Sequence, residues 1–92
     1  MDNKEKNMKK MELKNTTKMM KSSDYKERFK AEYYQLAIRR KNLLKVIAHE
    51  EKEILPFELS CPIEMLKEQA YYMEEYLRVL ETRAAYENID LY

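Results

Sequence analysis

The sequence predicts an all-α protein: an antiparallel two-helix hairpin with a basic N-terminal tail or short helix, assembling into a homo-oligomer. Three observations carry this. The chain has no glycine and only two prolines, Pro56 and Pro62, so tight hairpins, barrels and sandwiches lack their turn residues. Two long stretches carry apolar residues at alternating intervals of three and four, the seam of a helix lying along another helix. A single short apolar connection separates them.

The clearer seam lies between Pro62 and Tyr86. It reads Ile63, Leu66, Ala70, Met73, Leu77, Leu80, Ala84. A second line runs beside it: Met65, Gln69, Tyr72, Tyr76, Val79, Arg83, Tyr86. One stripe needs one partner helix. The second, half aromatic and broken by Gln69 and Arg83, calls for another subunit or a ligand. A hairpin of some 65 residues encloses little core, and domains this small usually need a metal, disulfides or self-association. With one Cys and one His, an internal disulfide and a Cys/His zinc cluster are both excluded, which leaves self-association.

The partner helix is expected over about residues 24–52. Ser22, Ser23 and Asp24 mark its start, and Asp24 with Glu27 has capping-box spacing. Its seam is Phe29, Tyr33, Leu36, Arg40, Leu43, Ile47, with Arg40 the one polar break. At 1.5 Å per residue it is about 40 Å long. Residues 24–52 hold eight basic and five acidic groups, a net of +3. Residues 62–92 hold three and seven, a net of −4, which favours antiparallel pairing. In the connection, Ile54, Leu55, Phe57 and Leu59 are too apolar for a free loop and are expected to fold back over the hairpin end. Pro62 then opens the second helix, about residues 62–86, with Cys61 as its cap. Ile89 and Leu91 are placed to cover part of a seam.

Residues 1–21 hold seven lysines against three acids and show no sustained period. They are read as a mostly flexible basic tail beside a hairpin domain of residues 22–92, the alternative being a short helix at Glu5 to Leu13. The lysines attract nucleic acid without sequence preference, but no aromatic residue interleaves with them for base stacking. Nucleic acid is therefore not expected as the partner. No apolar run reaches a membrane span, and no secretory core opens the chain; a cytoplasmic protein with no membrane partner is expected.

Chemistry has little to stand on. His49 sits where the helix dipole favours a cation, Cys61 at a helix start, and Glu50/Glu51 and Glu74/Glu75 on solvated faces. No catalytic residue, metal or cofactor is assigned, and the chain is read as a non-enzyme. Binding is better supplied. Arg39, Arg40 and Lys41 form a basic node, and Arg40, on the seam, must find an acid, reach solvent or meet an anion. Arg28 adds charge near the helix start. Tyr72 and Tyr76 offer flat faces with polar ends, and Gln69 an amide. Guanidinium for phosphate, aromatic for base and amide for specificity are the ingredients of a nucleotide pocket.

The pattern Arg28-x3-Glu32-x3-Leu36, Arg40-x2-Leu43-x3-Ile47, then Leu66-x2-Gln69-x3-Met73-x2-Tyr76-x3-Leu80-x2-Arg83 resembles a helical hairpin of bacteriophages. That family includes anti-CBASS and anti-Thoeris sponges, and the Cys-Pro-Ile at 61–63 is similar to a subgroup that includes crAss-like phage proteins. The resemblance implies a homohexamer that holds cyclic nucleotides or cyclic ADP-ribose isomers between protomers without cleaving them, in an infected bacterial cell. Gln69, Met73, Tyr76 and Arg83 match the pattern; the expected ligand-binding set, chosen from side-chain chemistry, is Arg28, Arg39, Arg40, Gln69, Tyr72, Tyr76 and Arg83. The competing reading is a helical protein–protein interaction module, a phage adaptor or an inhibitor of a host protein, with no small ligand.

Overall fold

A computed structural model describes residues 11–91. It holds three helices: α1 (Leu13–Met20), α2 (Tyr25–Glu51) and α3 (Ile63–Glu87). No strand occurs among the described residues. α2 and α3 form the hairpin, and α1 packs against α2.

Both seams are inward. Leu77, Leu80 and Ala84 of α3 are buried in one cluster with Phe29 and Tyr33 of α2, Ala70 is buried further along, and Leu80 is 1% exposed. Asp24 caps α2, its carboxylate accepting the Lys26 N–H at 2.9 Å. Glu27 does not complete a capping box with it; its carboxylate lies 3.8 Å from Lys30 Nζ. α2 ends before Pro56 can act. The Ile54 N–H reaches the His49 carbonyl and the Glu53 N–H that of Glu50, both at 3.0 Å, with Glu53 left-handed at φ 59°. This is a Schellman closure without its usual glycine.

Three expectations need correction. α3 takes Pro62, and not Cys61, as its cap residue. Pro62 sits at φ −59° and ψ 143°, extended, and its carbonyl accepts the Met65 N–H, so the helix opens one residue late. In the connection, Leu55 and Leu59 are half-buried, but Ile54 and Phe57 stay 59% and 57% exposed. The hairpin tip has only two helices, because α1 reaches no further along α2 than the neighbourhood of Lys45, and two helices offer no third wall to fold against. The third concerns the stretch read as a tail. Of the two forms expected at the N-terminus, a short helix is the one seen, over Leu13–Met20; residues 5–10 of the alternative span lie outside the described residues.

α1 docks because α2 is apolar on a second face. Thr16 is fully buried there, its hydroxyl donating to the Leu13 carbonyl at 2.7 Å, so burial leaves no polar atom unsatisfied. Ala31 of α2 is fully covered, and Ala37 nearly so. The C-terminal segment closes a third side. Asn88 turns left-handed at φ 57°, a conformation asparagine tolerates, and sends Ile89 and Leu91 back into the core. The Tyr34 hydroxyl donates to the Leu91 carbonyl. α2 is thus walled by α3, α1 and this segment. The side of α2 left open carries Tyr25, Arg28, Glu32 and Arg39.

Candidate ligand face

Cross-helix bonds fix the register of the hairpin. The Arg83 Nη2 donates to the Tyr25 hydroxyl at 2.9 Å, and the Tyr76 hydroxyl donates to Glu32. Each pair lies seven residues from the other on both helices, in opposite senses. One further step of seven along α2 and back along α3 sets Arg39 level with Gln69. The open side of α2 therefore runs beside the second stripe of α3. All seven members of that stripe are exposed: Met65, Gln69, Tyr72, Tyr76, Val79, Arg83 and Tyr86.

Of the seven sequence-predicted residues, this places Arg39, Gln69, Tyr72, Tyr76 and Arg83 along one side of the hairpin. Arg39 is exposed and has no ion-pair partner among the described residues. Tyr72 packs edge-on against Tyr71, centroids 5.2 Å apart, and keeps 62% of its surface open. Arg28 lies near the end of the same side, its Nη1 donating to the Ser22 carbonyl at 2.9 Å. Arg40 is turned inward. Its Nε donates to the Ala70 carbonyl at 2.9 Å and its Nη1 lies 3.1 Å from Glu74 Oε2, so the polar break in the seam is answered within the hairpin.

Arg83 belongs to a four-member cluster. Its Nε reaches Glu87 Oε2 at 3.1 Å, its guanidinium stands 5.0 Å from the Phe29 ring centroid, and Tyr25 donates to Glu87 Oε1 at 2.6 Å. The cluster holds the guanidinium over an aromatic face with donors to spare. The Tyr25 hydrogen bond, followed by that from Arg83, holds the Glu87 carboxyl below its ordinary value of 4.5, and the same bond raises the Tyr25 phenol. A carboxyl lowered on folding stabilises the fold above its unfolded pKa, and that contribution disappears as pH falls through the folded value. Glu87→Gln is therefore expected to flatten the acid limb of the stability profile below about pH 4.5. Chemical unfolding at pH 7 and pH 3 tests this; equal losses in both proteins on acidification would contradict it.

Sequence reasoning missed Tyr25, Glu32 and Glu87, which position Arg83 and Tyr76. Glu32 stood in the family pattern with no role, and its role depends on the register of a distant helix. It also missed a surface depression lined by Glu75, Arg78, Val79, Glu81, Thr82 and Arg83. All six belong to α3, so the depression has no opposing wall among the described residues.

A sequence model of the Sequestin family matches residues 23–86. The chain belongs to the Sequestin family. The match bears out the resemblance to phage nucleotide sponges and covers nearly all of α2 and α3, the candidate face included. The Sequestin segment excludes α1 and residues 89–91, so the two extra walls of α2 lie outside it. No curated protein and no solved structure matches the chain. A Sequestin protein is a sequestering, non-catalytic binder, with a role in immune evasion. No described helix is long and apolar enough to cross a membrane.

Proposed function

We propose that this protein captures a cyclic nucleotide or cyclic ADP-ribose-type immune messenger in the cytoplasm of an infected bacterium and holds it intact. The family match over the whole hairpin carries this reading. The guanidinium of Arg39, without an ion-pair partner among the described residues, level with Gln69 and beside a run of exposed tyrosines, supplies a site. Arg39 and Arg83 neutralise phosphate, Tyr72 and Tyr76 present faces to the bases, and Gln69 reads a polar edge. Arg28 and Arg40 flank the site and raise the local positive potential. Among the described residues the site is one-sided, which supports a homo-oligomer, a hexamer by analogy with the sponges it resembles. Capture is stoichiometric: it silences signalling when the protein outnumbers the messenger.

Native mass spectrometry against cyclic di- and trinucleotides and cyclic ADP-ribose isomers tests this. The expected result is an oligomer that takes up one messenger class and releases it with unchanged mass on heating. Linearised or cleaved messenger would overturn the reading. An oligomer that ignores the panel would turn attention to the apolar tip, where exposed Ile54 and Phe57 favour the second reading, docking on a host protein.

A further inference from the structure

The exposed stripe of α3 is self-complementary when read backwards. Its seven positions are Met65, Gln69, Tyr72, Tyr76, Val79, Arg83 and Tyr86. Tyr76 is the middle one. Pairing outward from it matches Tyr72 with Val79, Gln69 with Arg83 and Met65 with Tyr86: apolar on apolar, an amide on a guanidinium, apolar on apolar. The large apolar members are heavily exposed, Met65 at 59%, Tyr72 at 62%, Val79 at 57% and Tyr86 at 86%. They extend over about 32 Å of helix.

We propose that α3 packs antiparallel against α3 of a second copy of this chain, about a two-fold axis at Tyr76. A two-fold contact requires one patch to fit itself. Antiparallel helices meet like flank to like flank, so each residue faces the partner residue equally far beyond the centre. Gln69 then faces the second copy's Arg83, whose guanidinium donates to the amide oxygen. On the other flank Glu75 faces the second copy's Arg78. Each of these charges is already paired within its own helix, at 2.6 Å, and the axis gathers them into a four-charge ring of alternating sign. A parallel contact would instead set Arg83 on Arg83 and Glu75 on Glu75. The pairing also supplies a second wall to the depression around Val79 and Arg83. Within one helix Gln69 and Arg83 are about 21 Å apart, beyond the reach of one small nucleotide; the pair unites them twice. The inference deepens the self-association of the proposed function, but rests on this face and not on the ligand; in the paired form Tyr72 and Tyr76 pack on the second copy, and ligand contacts fall to Arg39, Gln69 and Arg83 at the two ends.

Disulfide trapping in nucleotide-free protein tests it, in a Cys61→Ser background. A disulfide requires Cα atoms within about 7 Å. Tyr76→Cys is expected to crosslink to itself. Gln69→Cys mixed with Arg83→Cys is expected to give about tenfold more crosslinked dimer than either variant alone. Tyr72→Cys mixed with Val79→Cys, two positions without side-chain hydrogen bonds, repeats the test free of the Tyr76 and Arg83 contacts. Ala85→Cys, exposed outside the stripe, is the negative control. Crosslinking of Gln69→Cys with itself, or no trapping in either mixture while circular dichroism stays helical, overturns the pairing. Trapped dimers that bind no messenger leave it standing and sink the ligand reading. Messenger uptake without trapping does the reverse.

Discussion

Leu80→Ala is expected to cost about 3 kcal/mol, within the roughly 2–5 kcal/mol that removal of a buried leucine side chain produces in well-packed cores. Leu80 is 1% exposed and sits where α3 meets the cluster of Phe29, Tyr33 and Ala84. The loss combines transfer of the missing carbons with a cavity that two rigid helices cannot close. Small domains hold about 5–15 kcal/mol in all, so this one change removes a large part of it. Leu44→Ala, at a position 40% exposed, should cost far less. Urea unfolding followed by circular dichroism measures both. Equal, small losses would mean that the seam is not the centre of stability.

Arg39→Glu and Arg40→Ala should separate binding from folding, although the residues are neighbours. Arg39 touches no acid among the described residues, so its replacement should leave stability within about 0.5 kcal/mol. Binding should suffer heavily. Losing a charge-assisted hydrogen bond and placing a carboxylate beside phosphate is expected to weaken messenger affinity by about a hundredfold. Arg40→Ala should do the opposite. It strips the Ala70 carbonyl of its side-chain donor and Glu74 of its ion partner. Glu74 is about half exposed and rehydrates, so a cost of about 1–2 kcal/mol is expected, mostly at the half-buried carbonyl. Calorimetric titration with thermal unfolding reads both quantities. Unchanged affinity in Arg39→Glu would remove Arg39 from the site.

Much of this was legible in the sequence, and the gaps have physical causes. The α3 seam was readable because each apolar residue there meets one partner helix at one period. α2 was half readable. Its Phe29–Ile47 line showed, but Ala31, Tyr34 and Ala37 lie off that line and are buried by elements whose own sequences are weakly apolar. α1 is lysine-rich and contributes little more than Thr16 and Met19, so no periodicity advertised it. Alanine and threonine are buried here through close backbone approach, which hydropathy does not register. At the candidate face, residue types were readable but their fates were not. Arg39 and Arg40 differ by 100° of helix rotation: one is left in solvent, the other is drawn into the seam. The contacts of Tyr25 and Glu32 required the hairpin register, which no local pattern carries.

The contact between Tyr34 and Leu91 spans 57 positions, no more than the 62 between Tyr25 and Glu87 within the hairpin, but it is made by a segment that lies beyond the last helix. In kinetic terms these are two regimes. Neighbouring helices zip together through short loops, on the microsecond-to-millisecond scale of helical bundles. The return of Ile89 and Leu91 must wait for α2 and α3 to be aligned, since its docking surface is built from both. It is expected to arrive last and to be the first to open in hydrogen exchange. Under the proposed function this order matters: the hairpin that carries the candidate face is assembled before the C-terminal segment closes.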